Sequence, residues 1–121
     1  MNKFKVIIAG SRGFRDIKLL TETCDALLSS KSKCLHTEIV IVSGTAKGAD
    51  QMGEYYACRN DLPVERFPAD WKQFGKSAGF RRNKEMAFNA DALIAFNINH
   101  SAGTENMIKE ARAAGLAVRI V

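Results

Sequence analysis

Lys5-Val6-Ile7-Ile8-Ala9-Gly10-Ser11-Arg12-Gly13-Phe14 joins a continuous apolar run to a glycine-containing turn, and its reading decides the fold. Val6 to Ala9 present no polar face to water, which predicts a strand over residues 5–9 covered on both sides. The same grammar recurs downstream. Residues 38–42 (Glu-Ile-Val-Ile-Val) read as a second buried strand stopped by Ser43-Gly44, residues 63–67 as a third and less central one, residues 91–96 as a fourth and residues 117–121 as a fifth. Between them, Ile17, Leu19, Leu20, Cys24, Leu27 and Leu28 recur at helical spacing through residue 30. Further helices are predicted over 49–59, 81–89 and 104–114. Residues 69–78, with Trp71, Phe74 and Gly75 among lysines, read as loop.

Strand–helix repeated four times and closed by a strand implies a parallel sheet with helices on both faces. The chain of 121 residues fits one domain, residues 1–121, without internal repeat or linker. In such folds ligands sit outside the carboxyl ends of the strands, where strand order reverses. The loops after the first, second and fourth strands are therefore the places to search.

Composition sets limits. Hydrophobic residues are 46% and charged residues 26% of the chain, which argues against a disordered or fibrous protein. Cys24, Cys34 and Cys58 share no CxxC spacing, and with only His36 and His100 beside them they make poor material for zinc or a disulfide framework. Neither metal nor cofactor is expected. The apolar run after Met1-Asn2-Lys3-Phe4-Lys5 is too short for a signal peptide or membrane span, so the expectation is a soluble cytoplasmic protein with no membrane partner. A formal net charge of +5 favours an anionic partner and leaves nucleotide, nucleic acid and plain solubility open.

The three loops narrow the choice. Gly10 and Gly13 permit a tight turn, Ser11 offers a hydroxyl, and Arg12 a cationic fork. Ser43-Gly44-Thr45-Ala46-Lys47-Gly48-Ala49-Asp50 has small residues that let backbone N–H groups face an anion at a helix start, with Lys47 as a point charge. It lacks P-loop spacing. Asp50 is read either as a first-turn acid complementing the helix dipole or as an acceptor for ribose hydroxyls. After the fourth strand, Ser101, Gly103 and Thr104 open a helix and are read as a phosphate cradle or as an ordinary N-cap. His100 is more simply a surface residue than a catalyst. Arg82 shares a helical face with Met86, so its guanidinium must cross apolar surface to reach a partner, with Asn83 beside it. One helix-terminus contact supplies about 1 kcal/mol or less and a charge-assisted bond about 1.5–3, against about 8 for micromolar binding. Convergence of three loops is required, and a phosphorylated small molecule is the expected ligand.

Ile8-Ala9-Gly10-Ser11-Arg12, Val42-Ser43-Gly44 through Gly48-Ala49-Asp50, the stretch from Gly79 to Met86, and Ser101-Ala102-Gly103-Thr104 together resemble the SLOG superfamily. That Rossmann-like clan includes the LOG-type nucleotide phosphoribohydrolases and the DNA-processing protein DprA/Smf. The resemblance is greatest to its small YspA/YpsA-related branch, common in bacteria and phages. It implies an α/β, Rossmann-like three-layer sandwich with a five-stranded, mainly parallel sheet, holding a nucleotide or an NAD or ADP-ribose derivative over the carboxyl edge, often in a homodimer or higher homo-oligomer. The implied contact set is Gly10, Ser11, Arg12, Ser43, Gly44, Thr45, Lys47, Gly48, Asp50, Arg82, Asn83, Ser101, Gly103 and Thr104.

In the LOG branch a glutamate and an arginine serve N-glycosidic cleavage. Arg82 matches the arginine of the RxxxM pattern ending at Met86, but the glutamate of PGGxGTxxE does not carry over. Gly103-Thr104 is followed by Glu105, Asn106 and Met107, so Met107 stands at the acid's place. A thioether cannot stabilise an oxocarbenium-like state as a carboxylate does. Three readings follow: a nucleotide sensor or sequestering module; a phosphoribohydrolase acting on a nucleoside 5′-monophosphate through Arg82 with Asp50 or Glu105; and DprA-like single-stranded DNA binding through Lys72, Lys76, Arg81, Arg82 and Lys84 interleaved with Trp71, Phe74 and Phe80. The helices around Met86-Ala87-Phe88 and Met107-Ile108 carry apolar residues that suit either a dimer face or the core.

Overall fold

In the computed structural model, which describes residues 2–32 and 37–121, the apolar run at 6–9 occupies the middle of the sheet. The chain runs β1 (Asn2–Gly10), α1 (Ile17–Ser32), β2 (Thr37–Ser43), α2 (Ala49–Arg59), β3 (Val64–Arg66), α3 (Trp71–Phe74), α4 (Ala78–Phe88), β4 (Ala92–Phe96), α5 (Ala102–Ala113) and β5 (Ala117–Ile120). All strands pair in parallel, in the order β3-β2-β1-β4-β5. This is the expected α/β Rossmann-like architecture. Cys34 and His36 lie outside the described residues. Cys24 is buried and Cys58 exposed, both as free thiols.

Because side chains alternate across a strand, β1 feeds two cores. Val6 and Ile8 pack with Leu20, Cys24 and Leu28 of α1 and with Ala49, Tyr56 and Ala57 of α2. Ile7 and Ala9 pack on the other face with Met86 and Ala87 of α4 and Met107, Ile108 and Ala111 of α5. Each fully buried aliphatic side chain contributes about 1.5–3 kcal/mol. The core thus takes Met86, Ala87, Met107 and Ile108, while Phe88 at the end of α4 stays 86% exposed.

From β1 the chain steps outward to β2 and β3, then returns to the far side of β1 as β4. The carboxyl ends of β1 and β4, where Gly10 pairs with Phe96, therefore mark the switch point. Helices that return the chain start at that same edge, so the beginnings of α4 and α5 both face it.

Residues 69–78 depart from the loop expected there. They hold α3 and a 3-10 turn over Gly75–Ser77 that runs directly into α4, three residues before the predicted start at Arg81. Asp70 caps α3 by accepting from the Gln73 N–H at 3.1 Å. No α3 residue is buried, so this segment carries no apolar stripe from which its helicity could be read. Among the described residues no helix is long and apolar enough to cross a membrane, and no group of three or more His, Cys, Asp or Glu side chains is placed to hold a metal.

Candidate functional site

Arg82 and Asn83, adjacent on the first turns of α4, tie together the loops that the topology brings to the switch point. The Arg82 guanidinium donates through Nη1 to the Gly44 carbonyl, after β2, and through Nε to Asn83 Oδ1 at 3.0 Å. The Asn83 amide then donates to the Gly103 carbonyl at 3.2 Å and to Asn106 Oδ1 at 3.0 Å, both in α5. Asn83 is buried and Arg82 partly so. Arg81, one residue earlier, points elsewhere and stacks 4.4 Å from the Phe74 ring centroid.

Gly44 explains how close these groups come. A Cβ there would lie 2.7 Å from Arg82 Nη1 and 2.8 Å from Asp50 Oδ2, so the guanidinium and the carboxylate converge on space that only glycine leaves free. Asp50 is 6% exposed, and its Oδ2 accepts from the Ala46 N–H at 3.2 Å. Burial pushes its carboxyl up to about 6, outweighing the Ala46 hydrogen bond and the nearby Arg82 charge, both of which pull it down. Burial likewise lowers Arg82 from its ordinary value, against the opposing pull of Asp50. For both partners desolvation exceeds the benefit of pairing.

These residues border a cleft of about 370 Å³. Of the residues singled out in the sequence, Gly10, Arg12 and Asp50 line it from the first two loops, Arg82 and Asn83 from α4, and Ser101, Gly103 and Thr104 from the start of α5. Met107 also lines it, with its thioether at the place the sequence comparison reserved for an acid. Trp71, Lys76, Gly79 and Phe80 complete the wall from α3 and the start of α4.

Other candidates stand outside the lining. Ser43 is fully buried, its hydroxyl donating to Glu54 Oε2 at 2.6 Å and accepting from the Thr45 N–H at 3.0 Å. Glu54 in turn receives Arg66 Nε at 2.9 Å, fastening the edge strand β3. Thr45 holds φ of +66°, a costly backbone for a β-branched residue. Gly48, with φ of +82°, lies where a Cβ would meet the Ser11 carbonyl at 2.3 Å, so it locks the first two loops together. The Ser11 hydroxyl accepts from Asn99 Nδ2 at 3.3 Å and ties in the loop after β4. Lys47 is exposed and does not line the cleft, whereas Lys76 does.

Glu105 takes a different position from Asp50. Exposed rather than buried, it accepts from Asn97 Nδ2 at 3.0 Å and contacts His100 Nδ1 at 3.2 Å, and these two bonds hold its carboxyl below the usual range. Ser101 acts as the α5 cap, accepting from the Thr104 N–H at 3.4 Å. Sequence reasoning missed Asn106, Glu54 and the buried Asn97. Only Glu54 carried a signal, standing four residues after Asp50 on one helical face.

A family model described as YAcAr, the YspA, cpYpsA-related SLOG family, matches residues 4–74. The chain is 36% identical over 120 residues to the Gene 61 protein of Mycobacterium phage D29, covering 94% of this chain and 93% of that protein. Among solved structures, DNA processing protein A (DprA) from Streptococcus pneumoniae is similar in fold, with a TM-score of 0.72 at 18% identity over 98% of this chain. The match takes up 50% of the DprA chain, so this chain spans half of its length.

Proposed function

From the premise that the chain belongs to the YspA, cpYpsA-related SLOG family, we propose that it binds a nucleotide or nucleotide-derived ligand, as a sensor or sequestering module, in the cleft at the carboxyl edge of the sheet. The observation that carries this reading is the Arg82–Asn83 chain of hydrogen bonds, which gathers the β2 loop and the start of α5 around one cleft that also takes in Gly10 and Arg12. Arg12, Lys76 and Arg82 supply cations for phosphate, and Asp50 supplies an acceptor for a ribose hydroxyl. Two or three charge-assisted bonds at about 1.5–3 kcal/mol each come near the 8 kcal/mol or so of micromolar affinity. The cleft volume sits at the small end of ligand pockets, about 300–1,000 Å³ in general, which favours a mononucleotide.

A second reading, N-glycosidic cleavage of a nucleoside 5′-monophosphate, is favoured by Asp50. It is a carboxyl poised near neutrality beside Arg82, as acid–base catalysis requires. Equilibrium dialysis against nucleoside monophosphates, NAD and ADP-ribose, read by mass spectrometry, separates the two. Retention of an unaltered ligand supports binding; release of free base and ribose phosphate makes the protein a phosphoribohydrolase, with Asp50 and Glu105 as the acids to test. If nothing is retained, the cleft reading fails. Salt-sensitive oligonucleotide binding would then point to single-stranded DNA at the exposed aromatic and basic surface of α3 and α4.

A further inference from the structure

Trp71 and Phe80 each remain 51% exposed although both border the cleft. Had Trp71 served only to pin α3 against α4, its indole would be buried. One part of it does rest on the α4 backbone: a Cβ on Gly79 would come within 3.2 Å of Trp71 Cη2. The segment that carries it is fastened separately. Arg81 stacks over Phe74 and donates through Nε to Ser77 Oγ at 3.1 Å, and Ser77 Oγ donates to the Phe74 carbonyl at 2.9 Å. The indole is thus held on a braced turn, with half of its area uncovered beside a cleft whose cations suit phosphate.

A sugar phosphate would need only those cations. A half-open indole at the same cleft gains most from a flat π-system laid against it. We propose that Trp71 is the stacking platform for the base of the bound nucleotide, so that the cleft selects base-bearing phosphates over sugar phosphates. This rests on the reading of the cleft as a nucleotide site.

Trp71 is the single tryptophan of the chain, so its fluorescence reports on this position alone. AMP, GMP, CMP, UMP and ribose 5-phosphate should each be titrated by fluorescence and by calorimetry into wild type, Trp71→Ala and Trp71→Phe. At least one monophosphate is expected to quench the emission and to lose about 5- to 150-fold in affinity in Trp71→Ala, with Trp71→Phe recovering most of it. Ribose 5-phosphate should bind more weakly, without quenching and equally in all three proteins. Monophosphate binding without quenching, or with unchanged affinity in Trp71→Ala, overturns the stacking platform and leaves the cleft as the nucleotide site. Absence of binding by every monophosphate, and by NAD and ADP-ribose titrated in the same way, overturns the nucleotide reading and the platform with it. Should Trp71→Ala fail to fold, quenching in wild type and the affinity of the non-aromatic Trp71→Leu still decide.

Discussion

Asp50 and Glu105 are both acids in the first turn of a helix that starts at the carboxyl edge of the same sheet, and the fold treats them in opposite ways. Asp50 is buried, with the Arg82 guanidinium of α4 nearby, and its carboxyl is raised to about 6 by desolvation. Glu105 is exposed, its carboxyl lowered by hydrogen bonds from Asn97 and His100. The loops around them differ in the same sense. The β2–α2 loop is closed over by Arg82 and wired through Ser43 and Glu54 to β3. The β4–α5 loop leaves Ile98 and His100 in solvent, with His100 at φ of +48°. A first-turn acid complements a helix dipole wherever it stands. Whether it is also desolvated depends on what the rest of the fold lays over it, and here Asp50 is buried while Glu105 stays exposed.

The sharpest way to break this comparison is Arg82→Ala. It removes the guanidinium from Gly44 and with it a nearby positive charge that pulls the Asp50 carboxyl down. Nucleoside monophosphate affinity should fall about 100-fold, as expected when a charge-assisted contact is lost. Stability to urea should drop by about 2–3 kcal/mol, less than the full cost of breaking a wholly buried pair because Arg82 is only partly buried. The Asp50 carboxyl, followed by NMR, should titrate above 6. An unchanged affinity would remove Arg82 from the site.

Of similar size is the pH dependence of stability. The folded value of Asp50, about 6, lies above its ordinary 3.8, so the folded state holds this proton more tightly than the unfolded chain does. The resulting stabilisation is fully present below about pH 4 and is lost as pH rises through 6, a span on the order of 3 kcal/mol. Asp50→Asn should flatten urea-unfolding free energies over that window. Equal slopes in the two proteins would mean that Asp50 is not desolvated in solution.

The smallest effect is expected for Glu105→Gln. Because its lowered carboxyl is exposed, its contribution is present above the ordinary carboxylate range and fades as pH falls, weakly. Melting temperature at pH 7 and monophosphate affinity should match wild type. A loss of affinity approaching that of Arg82→Ala would reverse the roles assigned to the two acids.

Much of the frame was legible before the structure. Val6 to Ala9 and Ile39 to Val42 announce strands covered on both faces because no polar residue interrupts them, and the alternation of such runs with helical spacing implies a parallel sheet. The spacing of Arg82 and Met86 also forecast an arginine carried across apolar surface. Helicity at Trp71–Phe74 was not legible, since a helix with no buried residue shows no apolar period. That Lys47 is exposed and off the cleft lining while Lys76 lines it was not legible either, since a lysine in a glycine-containing loop carries no mark of where its side chain goes. Asn106 and Asn97 gave no signal, because a polar residue near a helix start reads as solvated until its partner across the fold is known.

By itself the sequence determined the five strands of a parallel sheet, the four longer helices, and the resemblance to the SLOG superfamily. These follow from local periodicity and short motifs, which act within one element. Only the tertiary structure decided which acid is buried, which lysine reaches the cleft, and that Trp71 lies half-open beside it. Those outcomes depend on how α4 seats over the β2 loop and the start of α5, where desolvation and hydrogen bonds join residues 38 and 20 positions apart in the chain.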